Sequence, residues 1–263
     1  MSVDHLGDVA DGEAFVEETD ERSRMSFLDH LDELRRRIVY ALYAIAASCA
    51  LTFYFWNDMY AYLGNYFALH AAGTLQINRL MGGFMFSLKV GLLSALVLAS
   101  PFVFSQVWLF VAPGLYAKEK RVVVPFVFFS TLLFGAGAVF AHFVAFPSMM
   151  RFFASYGNEY FEFFPSLDDT FAFYSKTIIG LGLVFQMPLL VYFLARFGIV
   201  TAKFMIVKFK YAVLAIFVIA ALITPSADVV TQMTFAAPML VLYVISIGVA
   251  WLFGKKRGLA PPA

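Results

Sequence analysis

A single cysteine, Cys49, occurs in the 263 residues, and it sits inside an apolar run. A lone thiol there closes no disulfide and supplies no cysteine-based metal site. Charge is scarce as well: Asp, Glu, Lys and Arg make up 14% of the chain, where an average soluble domain has roughly 25%. The net charge of +1 gives no reason to expect a nucleic-acid partner. The histidines, at 5, 30, 70 and 142, are too scattered for a metal or haem site, so no metal and no cofactor is expected. No GxxxxGK[ST] stretch is present, which excludes ATP hydrolysis by a P-loop. Residues 1–24 lack an apolar core and carry eight carboxylates and two arginines, so they are not a cleavable signal. They read as an acidic, disordered cytoplasmic tail. Met25 directly precedes the structured start and is an alternative initiator; the sequence leaves both open.

What the chain has in abundance is grease. It is 62% hydrophobic and 18% aromatic, with a mean hydropathy of +0.79, and it is read as an all-α integral membrane protein. A span needs about 20 apolar residues. Six segments are assigned as transmembrane helices: 38–56, 84–110, 122–146, 171–197, 211–223 and 233–253. The fifth covers only about 20 Å at the helical rise. It must extend through "KFK" or thin the bilayer around it, and a re-entrant fifth segment is the alternative. With six spans, 15 of the 19 basic residues fall on the side that holds both termini. The positive-inside rule then places both termini in the cytoplasm. The expected organisation is a tail over 1–24, a six-span membrane domain over 25–254 and a basic cytoplasmic tail over 255–263. The loop after the third span is rich in Phe and Tyr, which suits interfacial amphipathic helices or an aromatic belt.

The densest chemistry lies at the edge of the first span, in "SFLDHLDELRRRIVYALYAIAASCA". Phe27, Leu31, Leu34 and Ile38 recur at helical spacing and make one apolar face, and Ser26 with Asp29 resembles a capping box that starts the helix. The opposite face holds His30, Glu33 and Arg37, with Asp32 to Arg36 and Glu33 to Arg37 spaced as i,i+4 ion pairs. A second charged patch, "APGLYAKEKR", joins spans two and three on the same side and sets Glu119 among Lys118, Lys120 and Arg121. Each patch alone is compatible with a juxtamembrane anchor or a positive-inside turn.

Taken together, the two patches resemble the TatC family, the multispanning receptor of the twin-arginine translocase. The resemblance runs from about residue 26 to 253 through "HLDELRRRI", "SPFVFSQVWLFVAPGLYAKEKR", "FAHFVAFP", "FGI" and "LITPSADVVTQ". It implies a kinked six-helix bundle with a concave wall in the bacterial cytoplasmic membrane, in contact with membrane lipid. It implies a cytoplasmic site for the twin-arginine signal peptides of folded precursors, TatA-like and TatB-like single-span partners, homo- and hetero-oligomers, and the proton-motive force as energy source. Residue by residue, Glu119 matches the position implicated in binding the arginine pair, Glu33 and Arg35 match the adjoining part of the site, and Phe110 matches an aromatic tied to it. The chemistry is apt, because a carboxylate receives a planar guanidinium through two parallel charge-assisted hydrogen bonds.

Two polar residues sit apart from that site. Gln186 lies within the fourth span where the family usually has Glu; an amide carries no charge, which puts a proton-linked or cation-binding role in question. Its other reading is a helix-packing amide. Asp228 matches an acidic residue of the family's outer turn, and equally suits an N-cap. Lys89 and Lys176 are expected to snorkel to headgroups, and His142 to be a hydrogen-bonded packing residue. The prolines at 101, 113, 125, 147, 188, 225 and 238 should kink or end helices, and the first outer loop lacks the proline common in the family. The rival reading, a secondary transporter binding solute at Gln186, finds no internal repeat and no paired broken helices. An intramembrane enzyme finds no catalytic motif.

Overall fold

The computed structural model describes residues 7–71, 75–111, 123–157, 163–224 and 228–254, with side chains from residue 30 onward. It is helical throughout, and among the described residues β pairing is confined to one parallel bridge between Gln76 and Ser166. Helix α1 runs Gly7–Tyr54, α2 Trp56–His70, α3 Gly82–Val111 and α4 Val123–Phe140. A π-helical turn at Ala141–Ala145 leads into α5, Phe146–Ala154. Then come α6, Leu167–Val184; α7, Met187–Arg196; α8, Ala202–Val207; α9, Phe209–Ile223; and α10, Val229–Phe253.

Among the described residues, five helical stretches are long and apolar enough to cross a membrane: His30–Tyr54, Gly82–Val111, Val124–Ala154, Leu167–Arg196 and Val229–Phe253. Phe209–Ile223 is apolar but shorter. At 15 residues it spans about 22 Å.

Two expectations need correcting, and one about the prolines is borne out. The backbone is helical from Gly7, so Ser26 and Asp29 lie inside α1 and do not start it. Glu and Ala are good helix formers, and Glu18–Arg22 and Asp20–Arg24 have i,i+4 spacing, so an acidic stretch is no barrier to a helix. The fourth span, Leu167–Arg196, breaks between α6 and α7 as expected at Pro188, with Phe185 capping α6 and Gln186 preceding α7, where Pro188 sits in the first turn. Pro188 lacks the N–H and its ring meets the carbonyl four residues back, which ends α6 there. By contrast Pro101 and Pro238 are carried inside α3 and α10. Finally, Lys89 does not simply reach for headgroups; its Nζ donates to Asp168 Oδ1 at 2.8 Å, tying α3 to the start of α6.

Packing runs α1 on α3, α3 on α4 and α4 on α6, while α10 packs on α7 and α9. The main core gathers at the α2 end, where Phe67 of α2 packs its ring against Phe86 of α3, Phe146 of α5 and Tyr174 of α6. At the middle of the bundle α4 and α6 approach closely through glycines. A Cβ on Gly137 would lie 2.7 Å from the Leu181 carbonyl oxygen and 2.9 Å from Gly182 Cα, whereas one on Gly135 would meet nothing within 4 Å. Gly137→Ala is therefore expected to push backbone from backbone and cost about 1–3 kcal/mol. Gly135→Ala should be neutral or slightly stabilising, because alanine is the better helix former. Thermal unfolding of the two variants in detergent checks the contrast; equal midpoints would contradict it.

Candidate functional site: a charged cluster at one end of the bundle

The juxtamembrane segment of α1 turns its polar stripe toward α3. Arg37 Nε donates to Glu33 Oε1 at 2.7 Å, and its Nη2 lies 2.5 Å from the same oxygen. Arg37 Nη1 also donates to Gln106 Oε1 of α3, at 3.3 Å. One turn earlier, the His30 ring stacks on Phe110 with centroids 4.5 Å apart and planes 22° from parallel. Meanwhile Leu31 and Ile38, on the apolar face, are 43% and 50% exposed. This reverses the arrangement of a soluble amphipathic helix, and the physics of lipid explains it. Hydrocarbon solvates leucine and isoleucine, whereas an unpaired charge there is costly, so the charged stripe closes on protein partners.

Of the two expected ion pairs, Glu33–Arg37 forms. Arg36 instead donates Nε to Tyr40 Oη at 3.2 Å and sits over the Tyr40 ring, and among the described residues Asp32 makes no ion pair. Arg35 is exposed. Both recorded contacts to Glu33 fall on Oε1, so among the described residues nothing engages Oε2. The cluster therefore presents a half-satisfied carboxylate beside a stacked His–Phe pair, an arrangement that accepts a planar cation on its open oxygen and its apolar part on the aromatic rings. Glu119 lies outside the described residues, in the segment that follows α3.

Gln186 and Asp228 stand on other elements. Gln186 is 8% exposed, at the α6–α7 break, and donates Nε2–H to the Ser130 carbonyl at 2.9 Å. Ser130 Oγ accepts from Trp108 Nε1 at 2.6 Å. One serine thus joins α3, α4 and the broken span, and Gln186 fulfils the packing reading of an interhelical amide. Asp228 caps α10, accepting from the Thr231 amide on Oδ2 at 2.6 Å and from the Thr231 hydroxyl on Oδ1 at 2.7 Å.

Sequence reasoning missed Gln106 as a partner of the charged stripe and Ser130 as the shared acceptor. Both lie on helices remote in sequence, and only "SQVW", a polar pair inside an apolar run, marked the first. It also missed the surroundings of His142. That residue is hydrogen-bonded as expected, but through both ring nitrogens: Nε2 with Tyr62 Oη at 3.0 Å and Nδ1 with Tyr174 Oη at 2.8 Å. The π-helical turn leaves the His142 carbonyl to accept the Tyr66 hydroxyl. Burial pushes the Tyr66 phenol well above its ordinary pKa, so it stays a donor.

A helical chain with several membrane-length apolar helices defines a polytopic membrane protein, here with a charged cluster at one end of the bundle. Comparison with known proteins sharpens that class. The profile of the Sec-independent protein translocase protein (TatC) matches residues 29–238, and the chain belongs to the TatC family. It is 41% identical over 238 residues to the TatC protein of Koribacter versatilis, covering 89% of this chain and 88% of that one. It is 38% identical over 221 residues to a Helicobacter pylori TatC, covering 84% and 87%. A chloroplastic TATC of Arabidopsis thaliana shares 36% over 237 residues, covering 90% of this chain and 68% of its own. Among solved structures, the crystal structure of a twin-arginine translocase receptor, TatC, superposes with a TM-score of 0.73 at 32% identity, over 84% of this chain and 97% of that chain.

Proposed function

We propose that this TatC-family chain is the receptor of a twin-arginine translocase, and that it binds the paired arginines of a signal peptide at the α1–α3 cluster together with the loop that carries Glu119. The observation that carries the reading is Glu33, held by Arg37 through one oxygen and, among the described residues, without a partner at the other, beside the His30–Phe110 stack. Arg35, exposed on the same segment, contributes to the rim of the site. An incoming guanidinium shares Glu33 with Arg37, and that like-charged neighbour favours specificity over raw affinity. In this reading α9, extended by α8, makes a sixth crossing, and both termini lie on the cytoplasmic side of a bacterial cytoplasmic membrane. TatA-like and TatB-like single-span subunits complete the machine, and the proton-motive force drives it. Gln186 and Asp228 serve the architecture by holding the broken span and capping α10.

The test is calorimetric titration of the chain, in lipid nanodiscs, with a signal peptide bearing Arg-Arg and with its Lys-Lys counterpart. Lysine offers a point charge without the planar fork, so the Arg-Arg peptide should bind about tenfold or more tighter, ~1.4 kcal/mol. Indistinguishable affinities would refute twin-arginine recognition by this site.

A further inference from the structure

At the other end of the bundle from the charged cluster, two cavities share the side chains of Tyr62, His142 and Phe143. The first, of about 530 Å³, is walled chiefly by Leu63, Leu93, Val97, Val139, Phe143 and Ile178. Most of its polar groups are already spent: Thr52 donates to the Gly91 carbonyl at 3.0 Å, and Tyr62 and Tyr174 are bonded to His142. Such a chamber has nothing to offer a polar ligand and suits hydrocarbon.

The second cavity, of about 590 Å³, is still mostly apolar in its lining but has more polar groups than the first and no carboxylate. Tyr62, Tyr66, His70 and Arg151 border it. His70 is turned by its Nδ1 bond to the Tyr66 carbonyl, at 2.8 Å. Arg151 is anchored by Nε to the Pro147 carbonyl at 3.2 Å. Among the described residues its two terminal nitrogens have no partner. A guanidinium held by one nitrogen, with its fork open, is a phosphate receptor. The first cavity lies beside Thr52, near the end of α1, and the second beside the last turns of α2 and α5, at the ends of apolar helices where a lipid headgroup would sit.

We propose that the paired cavities bind one phospholipid, with an acyl chain in the apolar chamber and the phosphate on Arg151 in the more polar one. A partner helix fits less well: one helical turn with its side chains occupies on the order of 400 Å³, nearly the whole first chamber. Bound lipid would fill the gap between α1, α2 and the π-helical turn and hold that end of the bundle closed.

Native mass spectrometry of the delipidated chain in detergent, with phosphatidylglycerol added, tests this. Wild type should retain one lipid, and Arg151→Gln and Val139→Trp should each weaken retention about tenfold. The first removes the phosphate fork and the second fills the apolar chamber. Leu98→Trp, on the same wall, serves where Val139→Trp does not fold, with helix content by circular dichroism as the check. Diacylglycerol, which lacks phosphate, and glycerol phosphate, which lacks the chain, should be retained far less than the whole lipid. Unchanged retention in the variants would overturn the proposal. So would diacylglycerol held as well as phosphatidylglycerol, or glycerol phosphate held as tightly, since each would remove one half of the site.

Discussion

Replacing Glu33 and Glu119 together by glutamine is expected to weaken binding of an Arg-Arg signal peptide about 100-fold, ~2.7 kcal/mol, with each single change contributing about tenfold. The glutamine side chain keeps the shape and still accepts from Arg37, so the tie between α1 and α3 through Gln106 survives while the charge is lost. The effect should therefore appear in affinity and not in helix content or melting temperature. It should also be selective, with little change for a Lys-Lys peptide that binds weakly from the start. Calorimetric titration of the two single variants and the double variant decides the matter. An unchanged affinity for Glu33→Gln would remove that carboxylate from the site, whatever Glu119 does.

The second large effect is expected at Phe67, which is fully buried. Its ring lies 5.9 Å from Phe86, 5.3 Å from Phe146 and 5.1 Å from Tyr174, so a single side chain fastens α2 to α3, α5 and α6. Phe67→Ala leaves a cavity there and should cost about 3–5 kcal/mol. The loss should be local, because α2 is a short helix tied to the bundle mainly by that aromatic cluster and by the tyrosine bonds to His142 and its carbonyl. Hydrogen exchange should accelerate over Trp56–His70 well before Gly82–Val111 is affected. Uniform acceleration across both helices would show that α2 is not an independently docked element.

Much of this architecture is legible from residue type and spacing. The apolar runs announce the membrane helices, and five of the six expected spans coincide with helical stretches long enough to cross, the fifth, 211–223, being the exception. The i,i+4 spacing of Glu33 and Arg37 announces their ion pair, because that contact is internal to one helix. Three things were not legible. The orientation of α1 was one, since periodicity shows that a helix has two faces but not which one meets protein. Pro188 announced a kink or an end in the fourth span, but not that α6 would stop at Val184 with Gln186 at the break. Contacts between distant helices escaped as well. Lys89 with Asp168, Arg37 with Gln106 and His142 with Tyr62 are each about 70–80 residues apart, beyond the reach of any local rule.

The charged end of α1 thus has a physical logic of its own. Part of its apolar face is exposed, Arg37 of its polar stripe bonds to Gln106 of α3, and among the described residues Glu33 Oε2 has no partner. The cluster at the α2 end is built differently, from aromatic rings and a π-helical turn, and it shares no residue with the first. Changes at Arg151 should accordingly leave signal-peptide affinity intact, while changes at Glu33 should leave lipid retention intact.

The most direct test of the receptor reading is photocrosslinking in inverted membrane vesicles, with the probe placed at position 119 and, separately, at 110. An Arg-Arg signal peptide should crosslink at both positions and its Lys-Lys counterpart at neither. Equal labelling by the two peptides, or none where a control receptor labels, would contradict recognition of the arginine pair at this end of the bundle.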